Sequence, residues 1–187
     1  MITERFIDFV EEIFPCINPY TKERVKLAIR QFYEANQTCN YFMSKPLNYL
    51  AQGDILDSIL FRFFDENGNE YSHRTKGLLI SNTCDSHRDE FIVFAPLLPL
   101  DSFNNRQAIE NNQIYRLLFF PDYTYADCVV DLSILSAVPR PLIEKSITSG
   151  EISKAASLNN LGYYLFLCKL TVHLMRPEDV GVQMERA

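Results

Sequence analysis

The sequence predicts an α+β protein that folds as a single domain over residues 1–187. Helical patterns occupy both ends of the chain, and short apolar segments separated by polar turns occupy the middle. Of the 187 residues, 47% are hydrophobic and 13% aromatic, so the chain can build one core and is short for two. We divide it into N-terminal helices over 1–50, a β-rich core over 51–140 and C-terminal helices over 141–187.

Two amphipathic patterns predict two helices in about the first 45 residues. Apolar residues recur at helical spacing from Phe6 to Ile13, and Pro15 ends this first pattern. At Asn18-Pro19 a capping residue precedes a proline at the first helical position, which is a typical start for the second helix.

The middle of the chain reads as short strands joined by turns. Asp65 to Asn69 has Asn-Gly at its centre, a strong signal for a β-hairpin. Residues 102–112 could hold a short helix. Strands this short and this closely spaced predict a small barrel or a strongly bent sheet. The predicted strands cover 59–64, a return strand at about Tyr71, 77–81, 91–95, 114–120 and 128–132.

After the strands the chain becomes helical again. Residues 143–156 predict one helix, and Ser157 is the expected cap of a longer apolar helix that begins at Leu158 and stops before Pro177. The apolar face of this second helix is predicted to pack against the sheet through Leu161, Leu165, Cys168 and Val172.

Charge and composition narrow the classes of function. Residues 51–140 contain thirteen acidic and seven basic side chains, so this segment carries the whole net charge of −6. Nucleic-acid surfaces usually have the opposite sign, and RNA is therefore a disfavoured ligand. No apolar run reaches the roughly 18 residues of a membrane span, and acids interrupt the N-terminal segment where a signal peptide needs an apolar core. We expect a cytoplasmic protein with no membrane contact.

Metal and cofactor chemistry is not indicated. The cysteines are scattered, never form a C-x-x-C pair, and are not completed into a zinc site by the three histidines. Asp85, Asp89 and Glu90 are adjacent carboxylates without a calcium-loop framework. We therefore expect no metal and no cofactor, and four of five cysteines acting as small buried hydrophobes in a reducing compartment. The five are Cys16, Cys39, Cys84, Cys128 and Cys168.

The stretch from Asn82 to Glu90 carries the densest polar chemistry. One interpretation makes Cys84 a nucleophile, with His73 or His87 as base and Asp85 orienting the imidazole. The other is a turn in which Asn82 and Asp85 bond local backbone, Arg88 pairs with nearby acids and the thiol lies beneath the loop. We favour the turn. The candidate catalytic residues are His73, Arg74, Cys84 and Asp85, and the candidate binding residues are Asn82, Thr83, His87 and Arg88.

Four short motifs occur in an order that resembles the MazF/PemK/Kid family of toxin endoribonucleases. The resemblance covers about residues 52–140 and implies a small SH3-like barrel. The motifs are Gly53 to Ile55, Gly77 to Asn82, Phe91 to Pro96, and Asp127 to Ala137.

The same resemblance implies that the family's catalytic side chains are not retained. The family's Arg precedes the second strand, where this chain has Thr75-Lys76 with Arg74 one position early. The family's Thr falls near Leu97-Leu98. Since a fold can be shared without its chemistry, we expect a non-catalytic interaction module with a protein partner or a homodimer, in a toxin-related or phage-defence setting. The alternative is a divergent endoribonuclease that uses His73, Arg74 and the Asn82–Asp85 turn.

Overall fold

The computed structural model of the protein describes residues 40–122, 124–175 and 180–185. The two helices predicted in about the first 45 residues lie outside this part, apart from residues 40–45, which are not helical. The end predicted for the C-terminal helix, at Pro177, also lies outside it. No helix in these three ranges is long and apolar enough to cross a membrane.

Strands and helices alternate along the described chain. A 3-10 turn covers Asp85–His87 and another covers Leu100–Ser102. The strands are β1 (Asp54–Phe64), β2 (Glu70–Leu79), β3 (Phe91–Pro99), β4 (Leu117–Leu118), β5 (Cys128–Asp131), β6 (Ser136–Pro139) and β7 (Lys154–Ser157). The helices are α1 (Arg106–Glu110), α2 (Arg140–Ser149), α3 (Asn160–Met175) and α4 (Val180–Glu185).

The strands form one seven-stranded antiparallel sheet, which confirms the α+β class. Its order is β4-β5-β3-β2-β1-β7, and β6 pairs with β3 off this path. The terminal strands β4 and β7 are not paired with each other, so the described strands leave the sheet open and the predicted barrel is not closed. Both terminal strands are short, two and four residues, and offer little edge for closure.

A bulge in β1 sets which side chains face each core. The pairing with β2 shifts by one residue between Leu56 and Ile59, and Ser58 in this bulge has a left-handed φ of 63°. The extra residue places Leu56, Ile59 and Phe61 on the same face, where all three are buried. The segment predicted as a strand from Ile59 is therefore the second half of a strand that begins at Asp54.

Helices cover both faces of the sheet. On one face, α3 contributes Leu165 and Phe166 to a core with Ile55 and Leu78. On the other, α2 contributes Ile143 to a core that contains Leu56 and its neighbours after the bulge. Adjacent residues of β1 thus enter opposite cores, as the alternation of a strand requires.

Helix α3 differs in start and face from the sequence prediction. Ser157 is the last residue of β7 and not the cap; the Asn159 carboxamide accepts the Gly162 N–H at 3.0 Å instead. The helix packs most closely at Gly162, where a Cβ would lie 2.3 Å from the Tyr41 carbonyl oxygen. The fully buried positions are Gly162, Leu165, Phe166 and Lys169, so of the predicted face only Leu165 is buried, and Leu161, Cys168 and Val172 are half-buried.

A buried carboxylate joins β1 to β7. Asp54 accepts hydrogen bonds from the Ser157 hydroxyl at 2.5 Å and the Ala51 N–H at 2.8 Å, and the Lys154 ammonium lies 2.5 Å away. Lys154 also donates to the carbonyls of Leu47, at 2.9 Å, and Tyr49. These bonds satisfy each buried polar group and hold the segment before β1 against the sheet.

Replacing Asp54 by Asn should lower the free energy of unfolding by about 3–5 kcal/mol, because the largely covered Lys154 ammonium loses its counter-charge. Urea denaturation followed by circular dichroism measures the change. The matched control is Asp57→Asn. Asp57 pairs with Lys76 at 3.3 Å, but both side chains are more than a third exposed, so its loss should cost at most about 1 kcal/mol. Equal costs for the two substitutions would contradict the role given to Asp54.

Candidate functional site

The Asn82–Glu90 segment forms an ordered turn. The Asn82 carboxamide accepts the Cys84 N–H at 2.9 Å, and the Asn82 carbonyl accepts the N–H of buried Ser86 at 2.8 Å. The Thr83 hydroxyl accepts the Gln52 N–H at 3.0 Å, which attaches the turn to the segment just before β1. Asn82 thus bonds local backbone, as the turn interpretation requires.

The other candidates in this turn face solvent. Cys84, Asp85, His87 and Arg88 are exposed, and the prediction that the thiol lies beneath the loop is wrong. The described residues show no side-chain hydrogen bond between Cys84 and His87, and the His87 ring instead lies 6.5 Å from the Tyr49 ring. Arg88 forms no ion pair in the described part of the chain, so the predicted pairing with nearby acids is absent there. A thiol without a bonded base lacks the geometry of an activated nucleophile.

His73 and Arg74 lie on β2, opposite Phe61 and Leu60 of β1. Successive strand residues point to opposite faces, so these two side chains do not act on one ligand from the same side. The Arg74 guanidinium donates to the Ser58 carbonyl at 2.8 Å, across the bulge of β1.

The two halves of the candidate catalytic set are separated along β2. Arg74 is five residues before Leu79, the end of β2, and the Cys84 turn follows that end. At about 3.3 Å per residue, roughly 16 Å of strand separates Arg74 from the start of that connection. The structure therefore does not bring His73 and Arg74 together with Cys84 and Asp85.

The positions that correspond to the toxin family's catalytic pair do meet. The Thr75 hydroxyl donates to the Leu97 carbonyl at 2.8 Å, so the two places are neighbours in space. Lys76, next to Thr75, pairs with Asp57. The Thr75 hydroxyl is bonded to backbone, the Leu97 side chain is apolar and the Lys76 ammonium is paired. None of the three supplies a free base or a phosphate-binding cation at this point.

The remaining cysteines and acids offer no further chemistry. Cys128 and Cys168 are half-buried, and burial raises the pKa of Cys128 to about 11 and that of Cys168 to about 12. Such thiols stay protonated and unreactive. Cys16 and Cys39 lie outside the described residues. Within the described ranges, no group of three or more His, Cys, Asp or Glu side chains is arranged to hold a metal ion.

The far half of the β1–β2 hairpin pairs with no third strand in the described chain, a feature that the sequence did not indicate. We call residues 59–64 and 70–75 the β1–β2 ribbon. β2 pairs with β3 only over Gly77–Leu79 and β1 with β7 only over Asp54–Leu56, so within the described chain the two strands of the ribbon pair only with each other. Phe63 stacks on Tyr71 with ring centroids 5.4 Å apart. The exposed apolar side chains of the ribbon are Leu60, Phe64 and Tyr71.

The predicted turn at the tip of the ribbon is confirmed. Gly68 has a left-handed φ of 81°, and the Asp65 carboxylate accepts the N–H groups of Asn67 and Asn69 at 2.9 and 2.8 Å. The side-chain hydrogen bond from Asn69, together with these backbone bonds, lowers the pKa of Asp65. The hairpin signal therefore located the turn but not the stretch without a third strand, since that stretch depends on where β3 leaves β2.

The sequence did not indicate that Lys169 is buried. Lys169 on α3 is 7% exposed, and its ammonium donates to the Asn112 carbonyl at 2.6 Å. Burial lowers the pKa of Lys169 from 10.5 to about 8. Asn112 has a left-handed φ of 52°, and its carboxamide bonds both the N–H and the carbonyl of Phe119. One turn after Lys169, His173 is half-buried, and its Nδ1 has no hydrogen-bond partner.

Comparisons with known proteins give a weak structural likeness. No family model matches the chain, and no curated protein matches it. Among solved structures, a chain of the MazE-MazF crystal structure (Form-II) from Deinococcus radiodurans is 13% identical, with a TM-score of 0.42. The match covers 70% of this chain and 100% of that one.

Lys169 should make stability depend on pH. Between about pH 8 and its ordinary value of 10.5 the unfolded chain keeps a proton that the folded protein releases, so the free energy of unfolding rises with pH. Below pH 8 both states are protonated and burying the charge costs roughly 3 kcal/mol. Lys169→Met removes the cost of burying the charge. It also leaves the Asn112 carbonyl unpaired, which costs about 1–3 kcal/mol at every pH.

The quantity to measure is the difference in unfolding free energy between Lys169→Met and wild type, by urea denaturation from about pH 7 to about pH 10. We expect the variant to lose its relative advantage as the pH rises. Lys145→Met, which removes an exposed lysine of α2, is the control and should give a flat difference. A flat profile for Lys169→Met as well would show that this lysine is not titrating in the folded protein.

Proposed function

We propose that this protein is a non-catalytic interaction module that binds another protein through the β1–β2 ribbon. The observation that carries the proposal is the face of this ribbon that exposes Leu60 and Phe64, on strands that pair with no third strand in the described chain. Phe64 is 68% exposed. Large apolar side chains exposed together on one element are typical of a protein-binding surface.

The absence of an assembled catalytic set among the candidates supports the same proposal. His73 and Arg74 lie on different faces of β2 near its middle, and the Cys84 turn follows the C-terminal end of that strand. Acid-base cleavage of RNA needs a base near the 2′-hydroxyl and a cation on the developing charge of the phosphorane. None of these four side chains reaches a second one to form such a pair.

Two of the three lysine and arginine side chains in or next to the ribbon already have acidic partners. Arg62 lies 3.4 Å from Glu70. Lys76 pairs with Asp57. The middle segment carries −6 in total. An acidic surface repels RNA before any chemistry begins, which favours a protein as the partner.

The biological setting that we propose is toxin-related or linked to phage defence, in the cytoplasm. Support comes from the order of the four motifs between Gly53 and Ala137. Those motifs fall on the start of β1, the end of β2, the first part of β3 and the stretch from β5 to β6. The family's chemistry does not follow, because Thr75 and Leu97 stand where its catalytic side chains would be.

Purified wild-type protein should bind generic RNA poorly and cleave it slowly or not at all. A positioned general acid or base contributes about 10²–10⁴ to a rate, so a functional nuclease would stand well above background. The assay follows cleavage of a labelled RNA by wild type, Arg74→Ala, Cys84→Ala and the control Lys145→Ala. Robust sequence-specific cleavage that either of the first two substitutions abolishes would overturn the interaction module and establish the divergent endoribonuclease.

The interaction itself is tested by retention of a partner from cells that express the native locus. Phe64→Ser should abolish retention, because it removes exposed apolar surface without touching either core. Lys145→Ala should retain the partner as wild type does. Retention that is insensitive to Phe64→Ser would place binding on another surface.

A further inference from the structure

The edge of β2 is open from Glu70 to Arg74. β2 pairs with β1 over its whole length, but with β3 only from Gly77 to Leu79. Glu70 to Arg74 are all exposed, and their other edge carries no strand in the described part of the chain. Such an edge is a template for another strand, and natural proteins control what pairs with it.

The hydrogen-bond pattern shows which backbone groups point out of this edge. Pro96 has no N–H, so Gly77 and Pro96 must be a pair that exchanges no hydrogen bonds. Ile80 N–H donates to the Val93 carbonyl at 2.8 Å, which places the even-numbered residues on the β3 side. The pairing with β1 shows a bulge in β1 and none in β2, so this alternation continues to Glu70, Ser72 and Arg74.

The side chains along this edge are complementary to themselves in one antiparallel register. If Ser72 lies opposite Ser72 of a second copy, Glu70 falls opposite Arg74 of that copy, and the two-fold axis repeats the ion pair. Tyr71 falls opposite His73 of the second copy. Opposite charges and aromatic residues directly across an antiparallel pair are stabilising, and like charges are destabilising. In this register the even-numbered residues, whose backbone groups point out of the edge, lie opposite each other, as antiparallel pairing requires.

We propose that two copies of this chain associate by antiparallel pairing of their β2 edges, centred on Ser72. The partner is a second copy because the sequence of the edge reads as its own complement: acid, aromatic, serine, imidazole, base. A two-fold axis through the Ser72 pair, perpendicular to the ribbon, generates this isologous contact. The inference rests on the proposed function in one respect, since it assigns a partner to the same ribbon.

The end of the free edge fixes the register. The Thr75 hydroxyl is bonded to the Leu97 carbonyl, so β3 already stands beside the edge at this point. Lys76 is held by Asp57. A register centred one residue later would need Lys76 opposite Glu70 of the second copy, at a position that β3 flanks. The open length therefore ends at Arg74, and Ser72 is its centre.

The contact covers exposed aromatic surface but remains small. Tyr71 is 54% exposed, and in the proposed register the Phe63–Tyr71 stack continues onto His73 of the second copy. Five residues a side fall below the area of a standard stable interface, so we expect a weak, reversible dimer. Leu60 and Phe64 lie on the opposite face of the ribbon from Tyr71, beside Arg74 and Glu70, and stay available to another protein.

Sedimentation equilibrium of the full chain over a concentration series tests the association. Glu70→Arg and Arg74→Glu should each weaken the dimer by about tenfold or more, since two like-charged pairs replace two ion pairs. An equimolar mixture of the two variants should associate, because each chain then supplies the charges that the other lacks. Lys145→Glu, an equal change of charge on α2, should leave the association unchanged.

Cross-linking tests the register. Residues directly opposite in an antiparallel pair have Cα atoms about 4.5–5.5 Å apart, which suits a disulfide. Ser72→Cys, in a Cys84→Ser background that removes the exposed native thiol, should form a covalent dimer under mild oxidation. Asn67→Cys in the same background is equally exposed at the tip of the hairpin and should cross-link far more slowly.

Three results would overturn this inference: a monomer at every concentration, a dimer that ignores both charge reversals, or equal cross-linking at positions 67 and 72. None of them bears on RNA cleavage or on the Phe64-dependent partner. Conversely, a wild-type protein that cleaves RNA would end the proposed function and leave the dimer to be judged by these measurements alone.

Discussion

The arrangement of the sheet depends on the ion pair and hydrogen bonds of the buried Asp54 carboxylate. It joins the first residue of β1 to Lys154 and Ser157 of β7, and it also holds Ala51 before the sheet begins. A buried charge is tolerated only when its partners are in place. Asp54 therefore favours the register of β7 that places Lys154 and Ser157 beside it. Because α3 begins three residues after Ser157, the register of β7 also sets where α3 packs against the core.

The bulge of β1 is the second constraint, and it explains both the packing and the dispersed candidates. The extra residue turns Ile59 and Phe61 onto the face that α2 covers, which a regular strand would not do. Beyond the bulge the hairpin continues without β3, carrying His73 and Arg74 away from the turn that holds Cys84. The bulge thus keeps Ile59 and Phe61 packed in the core, while the length of β2 separates the two halves of the predicted catalytic set.

Sequence reasoning succeeded where the signal is local. Asn67-Gly68 fixes its own turn, and the motif starting at Gly53 marks the start of β1. It missed β6 and β7, because Ser136–Pro139 and Lys154–Ser157 have little strand propensity and form through pairing with distant strands. It also missed buried Lys169, whose burial depends on the carbonyl of Asn112 meeting α3. The candidate catalytic residues are dispersed for a similar reason. Polar residues that are close in the sequence need not be close in the folded sheet.

The charges of the ribbon explain how an open strand edge can avoid unselective pairing and still recognise one partner. An uncharged edge pairs with many strands in several registers, which leads to aggregation. Glu70 and Arg74 penalise most of those pairings, because a shift of the Ser72-centred register by two residues places like or unmatched charges opposite each other. One antiparallel alignment satisfies both groups. Arg74, a candidate for RNA chemistry, has a simpler physical role in the proposed dimer, which is to decide together with Glu70 what the edge of β2 accepts.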